Sequence, residues 1–256
     1  MSSDFDFYEP EPPSSGTPIV PGGKPKPAET LSWYETWRMA ILRPGEETAR
    51  RIANDPNASA RTAYLWVLAS TIFTLPVSLL QLSLLPEALN QPEIRELFPA
   101  EMTGQILTIS MWAIPIGVLL SVPLFMLSMT ITHWASRQFG GMGSYERLAY
   151  ANAAFSAPLQ IVAAVIGLVA LFLTTSGGID LSQIGTLIGL YSFVLYAISI
   201  KAIHELTWGR TIGSILILMV IMVALTFMVF CAFAALFGPQ LQEWAQSMPS
   251  NSAFPR

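Results

Sequence analysis

The sequence predicts an all-α polytopic membrane protein, a five-transmembrane-helix bundle with a disordered N-terminal tail and an amphipathic interfacial helix. Three observations carry this prediction. The 256 residues are 52% hydrophobic and 12% charged, too little charge to cover a soluble surface. Five uncharged runs, Thr62 to Pro86, Met102 to Thr132, Leu148 to Ile179, Leu181 to Ile200 and Thr211 to Gln242, each reach the about 20 residues that cross a hydrocarbon core of roughly 30 Å. The basic residues, finally, sort into alternate gaps between those runs, as the positive-inside rule requires.

The elements follow in order. Residues 1–30 are rich in proline and poor in aliphatics, a composition that cannot bury enough apolar surface to offset ordering entropy. They read as a disordered cytoplasmic tail, with Pro25 to Pro27 a spacer in preference to a polyproline ligand. The acidic start lacks the apolar core of a signal peptide, so the first span is expected to act as its own insertion signal.

Residues 31–60 are expected to form short helices at the membrane surface. Trp33, Tyr34, Trp37 and Ile41 share one helical face, with Ser32, Glu35 and Arg38 off it. The stretch is too short to span, and its aromatic rings suit the headgroup region. Pro44 is expected to begin a second helix, with Glu46 and Glu47 at its positive end, Arg50 and Arg51 further along, and a stop before Pro56.

The membrane domain is expected over residues 61–238, with spans at about 62–86, 105–132, 149–175, 181–203 and 211–238, and residues 239–256 as an external tail. The fourth span is the weakest. Gln183, Thr186, Tyr191, Ser192 and Ser199 dilute it and Asp180 and Lys201 bound it closely, so a re-entrant segment or a central bundle helix are alternatives.

Orientation follows from charge. Eleven of the thirteen Lys and Arg precede the first span or lie in the second-to-third and fourth-to-fifth connections, leaving Arg95 and Arg256 on the other side. This places the N-terminus in the cytoplasm and the C-terminus outside, across a cell membrane. The acidic balance, net charge -4, and the scattered basic residues argue against nucleic acid as a partner.

Within the spans, Pro76, Pro115, Pro123 and Pro158 read as ordinary membrane-helix prolines, although the carbonyls they free could line a cavity. Gly185 with Gly189, and Ala163 with Gly167, are small pairs that allow close helix approach. We read both as packing within one chain, with a homo-oligomer through Gly185 and Gly189 as the second reading. His133 and His204 fall at span ends, where interfacial placement beside Arg137 and Glu205 accounts for them; two imidazoles alone make an incomplete metal site. No span carries a charge at its centre, so a proton relay or an intramembrane hydrolase has no residues to work with. Met219, Met222 and Met228 read as lipid-facing or packing residues.

Three segments carry a family resemblance: LRPGEETARRIANDP before the first span, GGMGSYERLAYANAAFSAP entering the third, and YSFVLYAISIKAIHELTWGRTI across the fourth and into the fifth. Over roughly residues 40 to 238 the chain resembles the bacterial branch of the Yip-one family, related to the eukaryotic Rab-interacting Yip membrane proteins. The resemblance implies a five-span helical bundle, no cofactor and no catalytic residues, and, through the bacterial branch, the bacterial cytoplasmic membrane in preference to a eukaryotic secretory one. In eukaryotic relatives it implies binding of lipidated small GTPases, which is not carried over, because this tail lacks a counterpart of their acidic, aromatic and Gly-Pro segment. The motif positions transferred are Pro44, Gly140, Gly143, Pro158, Tyr191, His204 and Gly209, with structural roles.

The reading that follows is a non-enzymatic scaffold or adaptor, which could also be a subunit of a larger membrane assembly. It meets the lipid bilayer and an unidentified membrane or cytoplasmic protein through a surface that includes Trp33, Trp37, Arg50, Arg51 and Arg147. The alternative is a pore or carrier for a small neutral solute, for which Pro158 and the polar Asn152, Ser156 and Gln160 would line the third span.

Overall fold

The computed structural model describes residues 30–89, 100–175 and 182–247, and these are helical apart from short connections. The proposed tail, Pro25 to Pro27, Arg95, Asp180 and Arg256 lie outside the described residues. Seven helices are seen among the described ones: α1 (Trp33–Leu42), α2 (Glu46–Ala53), α3 (Ala60–Leu89), α4 (Ala100–Gln138), α5 (Tyr145–Thr175), α6 (Ser182–His204) and α7 (Trp208–Ser247). Helices α3 to α7 are each long and apolar enough to cross a membrane.

The fourth run is a continuous helix, neither broken nor re-entrant, and has the largest buried share of the five spans. Two of its polar residues, Ser192 and Ser199, donate to backbone carbonyls of their own helix, which lets a hydroxyl sit in an apolar medium. Helix boundaries overrun the expected spans. α4 begins at Ala100 and ends at Gln138, and α7 continues to Ser247, beyond the 238 at which a tail was expected. Hydropathy marks the segment that needs lipid, whereas helix formers carry the hydrogen-bond ladder past it.

α5 is the central helix and packs against α1, α2, α3, α4 and α6. The reason is its run of small residues: Ala149, Ala151, Ala153, Ala154 and Ala157 are fully buried, and small side chains let helix backbones approach closely where lipid removes the hydrophobic drive for association. Pro76, Pro115, Pro123 and Pro158 all sit inside continuous helices.

α1 and α2 lie against one end of the bundle, the end where α3, α5 and α7 begin and α4 and α6 finish. Tyr64 bonds Tyr145 hydroxyl to hydroxyl at 2.8 Å, and any Cβ on Gly213 would meet the Phe139 ring at 2.8 Å. Exposed Trp134 and Trp208 mark the same end.

Candidate functional site

The α1–α2 hairpin is built by local caps. Ser32 and Glu35 form a capping box: the Glu35 N–H donates to Ser32 Oγ (3.2 Å), and the Ser32 N–H donates to Glu35 Oε2 (3.0 Å). The Ser32 N–H, then its hydroxyl, then the charges of Arg38 and Arg51 hold the Glu35 carboxyl below its ordinary value. α1 ends at Leu42, and α2 starts at Glu46 with Gly45 as N-cap. Pro44 therefore does not open α2. It sits ahead of the cap in the link, because the chain needs extended residues between two helices meeting in a hairpin.

The hairpin docks through four kinds of contact. α1 turns Thr36 and Ala40 inward and leaves Trp33, Tyr34, Ile41 and Leu42 exposed. An aromatic series links α1 to the bundle: Trp37 meets Trp66 edge-on at 6.0 Å, and Trp66 lies 4.8 Å from Tyr150. Glu46 pairs with Lys201, whose ammonium also stands 5.1 Å from the Trp208 ring. Asp55, buried, accepts from the Asn57 N–H (2.9 Å) and from the Tyr150 hydroxyl (3.4 Å). Ala49, Ile52 and Ala53 of α2 complete the seat.

Beside it lies the Gly140–Gly143 turn. Gly140 has φ +84°, the left-handed backbone of a Schellman motif: its N–H reaches Arg137 O at 3.0 Å, and the Gly141 N–H reaches Ser136 O at 2.9 Å. Met142 N–H then donates to His204 O at 3.3 Å, so one turn ends α4 and caps α6. α6 closes on Glu205 at φ 55°, with Leu206 N–H on Lys201 O at 3.1 Å. The approach is tight: a Cβ on Gly141 would come within 2.8 Å of His204 Nδ1, and one on Gly143 within 2.4 Å of Ile203 O.

His204 is accordingly 1% exposed, with its ring 5.2 Å from that of His133. The imidazole thus packs inside the protein at the end of α6, beside His133. The turn covers the imidazole, and His204 Nδ1 and Nε2, His133 Nδ1 and Ser136 Oγ are buried without hydrogen-bond partners. Among the described residues no group of three or more His, Cys, Asp or Glu could hold a metal ion.

The structure thus brings Gly140, Gly143 and His204 together and places Pro44 in the hairpin link. It leaves Pro158 buried in α5, Tyr191 on the outer face of α6, and Gly209 in the first turn of α7 with open space around it. Arg50, Arg51 and Arg147 are exposed on the hairpin end, as is Trp33, whereas Trp37 is half-buried against Trp66. Gly185 and Gly189 have nothing within 4 Å of an added Cβ, so their packing within the chain is not seen. Gly167 does pack, against Gln81 at 3.3 Å. Sequence reading missed Gly141, the Lys201–Glu46 pair and the Asp55–Tyr150 contact. The pair joins residues on two distant segments, and only the second glycine in Gly140-Gly141 hinted at a close approach.

Chemically, this end presents charge and aromatic surface on a rigid seat. Comparison with curated proteins and with solved structures returns no match. The Yip1 domain, in contrast, matches residues 39–249, a stretch that holds α2 to α7 whole and the Gly140–Gly143 turn. The chain belongs to the Yip1-domain family of membrane proteins.

Proposed function

We propose that the protein is a non-enzymatic scaffold or adaptor that recruits a protein partner through the hairpin end of its bundle. The observation that supports this most directly is the docking of α2: Ile52 is fully buried and Glu46 is tied to Lys201, while Arg50 on the same helix is exposed, as is Arg147 in the first turn of α5. A helix seated that firmly presents its exposed residues at little ordering cost, which is what a recognition surface needs. By the positive-inside rule this end faces the cytoplasm of a bacterial cell, and the C-terminus lies outside. Reporters fused after Phe139 and after Leu206 are expected to be cytoplasmic, and those after Pro92 and at Arg256 external.

The pore reading is the weaker one. Ser70 Oγ donates to Gln160 Oε1 at 2.8 Å and Asn152 is buried, which suits helix packing of about 0.6 kcal/mol per contact. The test combines both readings. Arg50→Glu with Arg147→Glu should abolish recovery of a partner in a gentle-detergent pull-down of the full chain, while Gln160→Leu should leave it intact. Solute flux into proteoliposomes that survives the Arg reversals and disappears in Gln160→Leu would replace the scaffold with a pore.

A further inference from the structure

A cavity of about 760 Å³ opens between α1, the link at Arg43 to Gly45 and the first turn of α2. Arg38, Arg43 and Arg51 line it on one side, and Leu31, Met39 and Leu42 give it an apolar edge. Three carboxylates line it as well: Glu35, engaged by the Ser32 cap, Glu46, engaged by Lys201, and Glu47. Among the described residues Arg38 and Arg43 make no ion pair. Arg38 and Arg43 line the hollow together with Glu47 and with Glu35, whose carboxyl feels the charge of Arg38.

The depth of this cavity is set by its neighbours. Trp33 and Tyr34 of α1 are exposed, as are Trp134 and Trp208 at the same end of the spans, and such rings settle at the headgroup level of a bilayer. α1 has an inward face on α5 and an outward one with Ile41 and Leu42, so the cavity lies where glycerol and phosphate meet acyl chains. Guanidinium groups bind phosphate oxygens in a bidentate fork.

We propose that this cavity is a lipid site, in which Arg38 and Arg43 clamp the headgroup phosphate of an anionic phospholipid while Leu31, Met39 and Leu42 meet its glycerol and upper acyl carbons. Occupancy holds α1 on the bilayer whether or not a protein partner is present. The proposal is thus separable from the scaffold reading, whose test uses Arg50 and Arg147.

The full-length protein in neutral detergent, given equal phosphatidylglycerol and phosphatidylcholine, should retain one phosphatidylglycerol preferentially in native mass spectrometry. Arg38→Gln with Arg43→Gln should weaken that retention roughly thirtyfold, at about fivefold for each cation near an anionic surface. Arg38→Lys with Arg43→Lys should keep most of it, and Arg61→Gln, a charge change outside the cavity, should change nothing. Equal retention of the two lipids by the unaltered chain overturns the proposal without any variant, and so does undiminished phosphatidylglycerol binding in the double Gln variant. Displacement of the lipid by inorganic phosphate alone would mean a site for the free anion and would overturn the lipid assignment.

Discussion

Residues 148–157 of α5 and residues 219–230 of α7 are both uncharged and helical. In the first, Leu148, Ala149, Ala151, Ala153, Ala154 and Ala157 are completely buried. In the second, Val220, Val223, Phe227, Val229 and Phe230 are each 66% exposed or more. The more hydrophobic stretch is the one left outside. In a soluble protein this would be inverted, but acyl chains solvate a Phe or Val as well as protein does, so hydrophobicity does not select the interior. Small side chains and shared polar contacts select it instead, and both concentrate at the end that carries α1 and α2.

That contrast is most exposed to failure at glycine. Gly143→Ala would put a methyl 2.4 Å from Ile203 O, and backbone cannot yield as a flexible side chain can, so we expect a loss of about 3 kcal/mol or more. Gly185→Ala, in open space on α6, should change stability by less than about 0.5 kcal/mol. Thermal unfolding in detergent checks both. Equal effects would erase the distinction between the two regions, and a change in oligomeric state with Gly185→Leu would show that a second copy covers the Gly185–Gly189 face.

A smaller effect is expected at the ion pair. Lys201→Met removes the bond to Glu46 and the contact with Trp208. Both charged groups keep some water, 19% and 35% side-chain exposure, so the loss should be about 1 kcal/mol. Amide exchange should accelerate in α2 and stay unchanged in residues 219–230. Acceleration along all of α7 would mean that the hairpin end and the lipid-facing half unfold as one unit.

The smallest effect sits on the surface of α1. The Glu35 carboxyl is held below its ordinary value, so its contribution to the α1 cap is complete above that ordinary value and fades as pH falls through the lowered one. Exchange of the α1 amides should rise over that acidic window. Glu35→Gln should flatten the dependence, and a slope that persists in the variant would assign it to another group.

Much of the architecture was legible along the chain. Uncharged length predicted all five spans, including the diluted α6, because the requirement to satisfy every backbone group in lipid leaves a helix as the only single-segment solution. The periodicity of Trp33, Trp37 and Ile41 likewise predicted a short helix; Trp33 and Ile41 face outward, but Trp37 turns in against Trp66. The site was less legible. Gly140 and Gly143 stood out through the family resemblance; Gly140 serves a local Schellman turn closing α4, yet the reason for Gly143, where a Cβ would stand 2.4 Å from Ile203 O, lies in a neighbour sixty residues further on.

Hydropathy, charge bias and turn chemistry act over a few residues, so the sequence by itself determined which segments are helices, which of them need lipid, and where the chain must turn. Tertiary structure alone decided which helix became the centre, that His204 would be buried beneath the Gly141 turn, that Glu46 would find Lys201, and that Gly185 and Gly189 would face outward. These are contacts between segments far apart in the chain. In a bilayer such contacts are chosen by shape and by polar pairing, and neither leaves a periodic trace in the sequence of one segment.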